Sequence, residues 1–289
     1  HKAIRRQRQM CIRDSTFAIG AASHGSQRWI SIGPFSLQPS ELAKIGIILF
    51  LAAYISSKSR EMRQWKKMVI PFLFAIPIIV IVGIENLSTC IILLAISFIM
   101  IFVATPLWVP FVVIGLIGVA GAGGLLLTQG YRMERITVWL DPAASEKGHQ
   151  TIQGLYAIGS GGLFGKGLGQ SMQKLGFLPE ANNDMIFSVI CEELGLFGAL
   201  CVLALFFALI WRFMVIAVNA PDLYGSMIVV GVIAHIGIQV FINIAVATNT
   251  IPNTGIPLPF ISYGGSSLVF MLLEMGLVLS VSRYINVKK

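Results

Sequence analysis

The chain is poor in charge. Only 12% of its 289 residues are Asp, Glu, Lys or Arg, against 56% that are hydrophobic. Soluble domains carry about 25% charge, so there is too little polar surface here to clothe a water-soluble globule. The four cysteines, Cys11, Cys90, Cys191 and Cys201, form no disulfide framework and have no metal-ligand spacing, which reads them as small buried apolar residues. The glycines lack the P-loop spacing, and no nucleic-acid motif accompanies the net charge of +8. The basic excess sits between apolar runs, where membrane proteins concentrate it on the cytoplasmic side. The opening HKAIRRQRQMCIRDS has no signal-peptide apolar core. Because the chain begins with His1, a fragment is expected, with residues 1–15 a non-native leader and 16–289 one membrane domain.

What is present is apolar sequence in long runs, with a mean hydropathy of +0.81. Seven candidate spans are read at 41–57, 68–84, 88–104, 107–128, 186–211, 225–247 and 266–282, several near the length that crosses a bilayer and the first two short enough to tilt or stop at mid-depth. Thr16–Ala22 reads as the stump of an earlier one. The fold class expected is therefore an all-α polytopic membrane protein. Lys58, Arg60, Arg63, Lys66 and Lys67 crowd between the first two spans and mark that loop as cytoplasmic. Alternation then places 23–40, the long loop 129–185 and 248–265 outside, so most of the unusual polar sequence shares the outer face.

Four clusters carry chemistry. Arg28 and Trp29 precede Gln38-Pro39-Ser40-Glu41-Leu42-Ala43-Lys44, where Ser40 reads as a helix N-cap and Glu41 and Lys44 share a helix face. That pair is either a structural ion pair or a polar cavity wall for an anionic head group. The outer loop holds Arg135, His149-Gln150 and then the Gly-rich run Gly159–Gly169 with Lys166, whose backbone N–H groups suit phosphate oxygens or merely make a flexible loop. Asp184 in Leu178–Phe187 opens an apolar helix, as an N-cap or as a functional carboxylate, with Glu192 and Glu193 further along. Residues 248–267, with three prolines and Ser262, cannot be regular helix and read as a cavity wall. His235, Gln239 and Asn243 recur on one helix face near Glu274 and read as interhelical polar glue.

The motifs R-W-I, Q-P-S-E-L-A-K, G-S-G-G-L-F-G-K-G-L-G, L-P-E-A-N-N-D-M-I-F with E-E-L-G, and T-G-I-P-L-P-F-I-S-Y-G-G-S-S, in this order over about residues 23–284, resemble the shape, elongation, division and sporulation family that includes RodA, FtsW and SpoVE. T-N-T-I-P-N-T-G leans toward the FtsW and SpoVE branch. The resemblance implies a ten-span protein of the bacterial inner membrane, of which the last seven spans are expected here. It implies a peptidoglycan glycosyltransferase that joins lipid II units, releases undecaprenyl pyrophosphate and works with a class B penicillin-binding protein. By that likeness Asp184 is the catalytic position and acts as general base. Arg28, Trp29, Glu41, Lys44, Arg135, Lys166 and Ser262 are expected to bind substrate, and Glu192 and Glu193 to support. No metal ligand is named, although a divalent Mg or Mn ion would ease departure of the pyrophosphate. Asn86 departs from the family's frequent aspartate, and His149 from its frequent tyrosine. The rival function is a lipid II flippase using the same cavity.

Overall fold

A computed structural model describes residues 21–23, 26–32, 35–60, 62, 64–105, 111–113, 115–116, 121, 123–124, 130–145 and 148–285. The body is helical: α1 Pro39–Ser57, α2 Trp65–Glu85, α3 Leu87–Ala104, α4 Gly130–Leu140, α5 His149–Gly161, α6 Ile186–Val218, α7 Leu223–Ala247 and α8 Gly265–Arg283. Five of these, α1, α3, α6, α7 and α8, are long and apolar enough to cross a membrane, and the apolar stretch Lys67–Gly83 of α2 is slightly shorter. Most of the run read at 107–128 lies outside the described residues.

Local chemistry explains the helix boundaries. Pro39 occupies the first turn of α1, where its fixed φ suits the helix and its missing N–H costs nothing. The helix therefore starts one residue before the expected cap: Gln38 is the N-cap, and the Ser40 hydroxyl is buried without a partner. Asn86 ends α2 and caps α3, accepting from Thr89 N at 3.2 Å. Asp222 caps α7 by accepting from Gly225 N at 3.1 Å.

Helix α7 is the hub, packing on α1, α3, α6 and α8. One of its faces, with Ile228, Ala234 and Ile242, joins a core shared with α1, α2 and α3. The other, with Val232, Ile236 and Val240, joins a core shared with α6 and α8. Gly231 permits the α1 crossing, since a Cβ there would stand 2.6 Å from Ile48 Cγ2. Cys90 and Cys191 are buried, whereas Cys201 is exposed on α6, contrary to expectation, because that stretch of α6 turns away from the bundle.

Ahead of α1 runs a small antiparallel meander, Ala21–Ser23, Ser26–Ile32 and Phe35–Leu37, with Ile30 opposite Leu37 and Ile32 opposite Phe35. Ala21 and Ala22, read as part of a span stump, lie in its first strand; the remainder of that stretch lies outside the described residues. The stretch 129–185, read as one long loop, contains α4 and α5.

Candidate active site

Five chain segments converge at one end of the bundle: the starts of α1, α3 and α6, the end of α7, and the irregular stretch Thr248–Gly264. Asp184 stands there, just before α6. It does not cap that helix, because the N-cap is Met185. Its carboxylate instead faces the stretch 248–264. Oδ1 accepts from Gln150 Nε2 of α5 at 3.3 Å. Opposite Oδ2 lies Gly255, with φ 61°, where a Cβ would stand only 3.6 Å away. The residue is 8% exposed, so the carboxylate is largely stripped of water.

The cradle is built from amides. Asn253 Nδ2 donates to Gln150 Oε1 at 3.0 Å, and Arg135 of α4 donates to Asn253 O at 3.1 Å. Asn243 Nδ2 of α7 donates to both Asp184 O and Ile256 O at 2.8 Å, tying the base of α6 to the irregular stretch. Trp139 Nε1 donates to Asn249 O at 3.0 Å, and Gln239 Nε2 to Pro257 O at 3.0 Å. Backbone that has no helical partner is thus satisfied by side chains. Burial pushes the Asp184 carboxyl up to about 6, and the nearby Glu180 charge adds to the rise. Hydrogen bonding from its own backbone and from Gln150, and the Arg135 charge, oppose it.

Glu41 and Lys44 do pair, Lys44 Nζ to Glu41 Oε1 at 2.8 Å, and both are buried. They line a cavity of about 50 Å³ with Gln38, Asn86, Thr89 and Gln239. Glu41 Oε2 and Gln239 Oε1 are buried there without partners. The cavity has room for a few waters but not for a sugar. Gly255 is shared, bordering this cavity and facing Asp184 Oδ2.

Three of the expected site features make contacts within the protein. Lys166 Nζ lies 2.7 Å from Glu192 Oε1. Ser262 is a structural tie, with Oγ donating to Asn183 O at 2.6 Å and accepting from Leu258 N at 2.7 Å. Part of the Gly-rich run packs on α6. Gly159 and Gly161 belong to α5, and Lys166 N and Gly167 N donate to Glu192 O and Glu193 O, each at 2.9 Å. Bare backbone here approaches α6. Glu193 is also buried, and its Oε1 has no partner. The strand backbone of Arg28 and Trp29 is described, but their side chains lie outside the described residues. Among the described residues no three His, Cys, Asp or Glu gather as metal ligands. Gln150 and Asn253 lay within the clusters read from sequence but were given no role of their own; their tertiary meeting supplies it.

The sequence pattern of the cell cycle protein family FtsW/RodA/SpoVE matches residues 11–287. The chain belongs to this family. It is 47% identical over 272 residues to stage V sporulation protein E of Bacillus subtilis, covering 92% of this chain and 74% of that protein. It is 37% identical to the probable peptidoglycan glycosyltransferase FtsW of Geobacter sp. strain M18, covering 91% and 73%. Its fold matches a solved peptidoglycan synthase complex that coordinates polymerization and crosslinking, with TM-score 0.76 and 27% identity over 97% of this chain and 80% of that one. It also matches the rod shape determining protein RodA of Thermus thermophilus, with TM-score 0.65 and 28% identity over 96% and 76%. The motifs at Leu178–Phe187 and Thr254–Ser267 meet at Asp184, and Gln38–Lys44 lines the neighbouring cavity that Gly255 also borders.

Proposed function

We propose that this chain is a peptidoglycan glycosyltransferase that polymerises lipid II in the bacterial cytoplasmic membrane, with Asp184 as general base at the outer face. One observation carries the reading. A mostly desolvated carboxylate, with its pKa raised to about 6, sits where the start of α6 meets α5, the end of α7 and the irregular stretch. A base poised near working pH is both deprotonated enough to act and basic enough to accept a proton.

In this mechanism the acceptor hydroxyl gives its proton to Asp184 as its oxygen attacks the donor's anomeric carbon. The bond from that carbon to the pyrophosphate oxygen breaks, and undecaprenyl pyrophosphate leaves with the electron pair. A single displacement inverts the centre, turning an α-linked donor into a β-linkage. Arg135, which reaches Asn253 O beside the base, and Arg28 are the cations assigned to the growing pyrophosphate charge, while Lys44, paired with Glu41, lines the neighbouring cavity. Trp29 and Glu41 are assigned to the substrate wall. Lys166 and Ser262 are withdrawn from substrate binding because their polar atoms hold the protein together.

A class B penicillin-binding protein is the proposed partner, supported by the likeness to a complex that couples polymerization to crosslinking. Helices α6 and α8 bury only 22% of their apolar windows, leaving surface for lipid and for a partner's span. The test separates synthesis from transport. Purified protein given lipid II in detergent, with no membrane to cross, is expected to make glycan chains. A flippase would make none.

A further inference from the structure

Helix α5 has two ends with different duties. Gln150, its second residue, holds the Asp184 carboxylate. Gly161, its last, abuts α6 so closely that a Cβ would lie 1.9 Å from Cys191 O. Eleven residues separate them, a rod of about 16 Å. Gly154 lies seven residues before Gly161 on the same face, where a Cβ would stand 3.3 Å from Ser188 Oγ. The two helices therefore meet along their length at bare backbone.

Beyond Gly161 the chain clasps α6 at a break. Gly195, with φ 67° and ψ −166°, interrupts α6. Leu196 N and Phe197 N donate to Gly162 O and Leu163 O at 2.9 and 3.1 Å, while Lys166 N and Gly167 N return two bonds to Glu192 O and Glu193 O. The Glu192 side chain keys the clasp. It is fully buried, and its carboxylate receives Lys166 Nζ at 2.7 Å, Ser171 Oγ at 2.5 Å, Gln173 N at 3.3 Å and Ser160 Oγ at 3.4 Å.

We propose that Lys166 and Glu192 are a positioning pair for Asp184: they fix where α5 lies along α6, and so where Gln150 meets the carboxylate. The proposal rests on the reading of Asp184 as base. The groups acting on Asp184 are Glu180 from the preceding turn, Arg135 from α4 and Gln150 from α5. Asn243 of α7 and Asn253 of the irregular stretch bring only amides to its surroundings, and Tyr263 is the one titratable side chain within 248–264. Gln150 is thus the contact that a slip of α5 would change first. A base works only when deprotonated, and losing this hydrogen bond raises its proton affinity, so the acid limb of the rate moves to higher pH.

The experiment is a pH profile of lipid II polymerisation for Lys166→Met, Lys166→Arg, Gln150→Leu, the Gln150→Leu/Lys166→Met double variant and Asp184→Asn. Lys166→Met is expected to shift the acid limb upward by about half a pH unit or more and to lower kcat more than it changes KM. Lys166→Arg restores the limb. The double variant matches Gln150→Leu alone, because both act through one contact. An unmoved limb in Lys166→Met, or additive effects in the double variant, overturns the proposal. If Lys166→Met does not fold, Ser171→Ala takes its place with the same two readings and a smaller shift. An active Asp184→Asn instead overturns the base reading, which keeps the two failures apart.

Discussion

At the scale of single residues, the chemistry turns on how tightly Asp184 holds a proton. Burial and Glu180 raise that affinity, while Gln150 and Arg135 lower it. Each neighbour therefore gives a signed prediction for the acid limb of the pH–rate profile. Glu180→Gln removes a repelling charge and should move the limb to lower pH. Arg135→Gln removes an attracting one and should move it to higher pH. Measuring polymerisation from pH 5 to 8 checks both, and shifts of like sign would contradict the assignment. The sequence made Asp184 a candidate because a carboxylate stood among unusual polar company beside an apolar run. It did not make Gln150 or Asn253 candidates, since a neutral amide carries no mark of function until the fold brings it against a charge.

At the scale of elements, the glycine-rich run has a packing role that its sequence did not disclose. Glycine licenses close approach, but composition does not say to what. Here the partner is the α6 backbone. A Cβ at Gly195 would lie 2.4 Å from Gly165 N, and one at Gly165 would lie 2.2 Å from Glu193 O, with both residues at positive φ. Gly195→Ala and Gly165→Ala should each lower the melting temperature in detergent sharply, by backbone strain of about 1–3 kcal/mol together with a clash that cannot relax. Gly159 is the control: it lies within α5 with nothing inside 4 Å of a built Cβ. Gly159→Ala should be neutral or stabilising by up to about 1 kcal/mol. Equal losses at all three positions would remove the clasp from this account. The Ser40 cap was misplaced for a related reason, because Pro39 is itself a good first helical residue.

At the scale of the whole molecule, α7 divides two cores and carries the polar face His235, Gln239 and Asn243 toward different neighbours. Sequence periodicity revealed that face as interhelical glue, and each member does tie α7 to something else. Asn243 and Gln239 hold the irregular stretch. His235 Nδ1 lies 2.9 Å from the Glu274 carboxylate of α8, with both residues buried. Deleting one partner leaves the other buried without its mate, so His235→Ala should destabilise by about 3–5 kcal/mol, read as a lower melting temperature in detergent. Replacing both by apolar residues of similar size should recover most of the loss. Whereas the shorter α4 and α5 carried no such mark, six of the seven apolar runs coincide with helices among the described residues, because bilayer length is written directly into composition. Their convergence on Asp184 was not legible, because spans distant in sequence meet only after packing.

The most direct test of the account is glycan synthesis from purified lipid II by Asp184→Asn, compared with the unaltered protein at equal melting temperature. Removing a general base should lower the rate by about 10²–10⁴-fold while the Asn side chain preserves the fold. A variant that folds equally well and polymerises within a few-fold of the unaltered protein would contradict the assignment of Asp184 as the base.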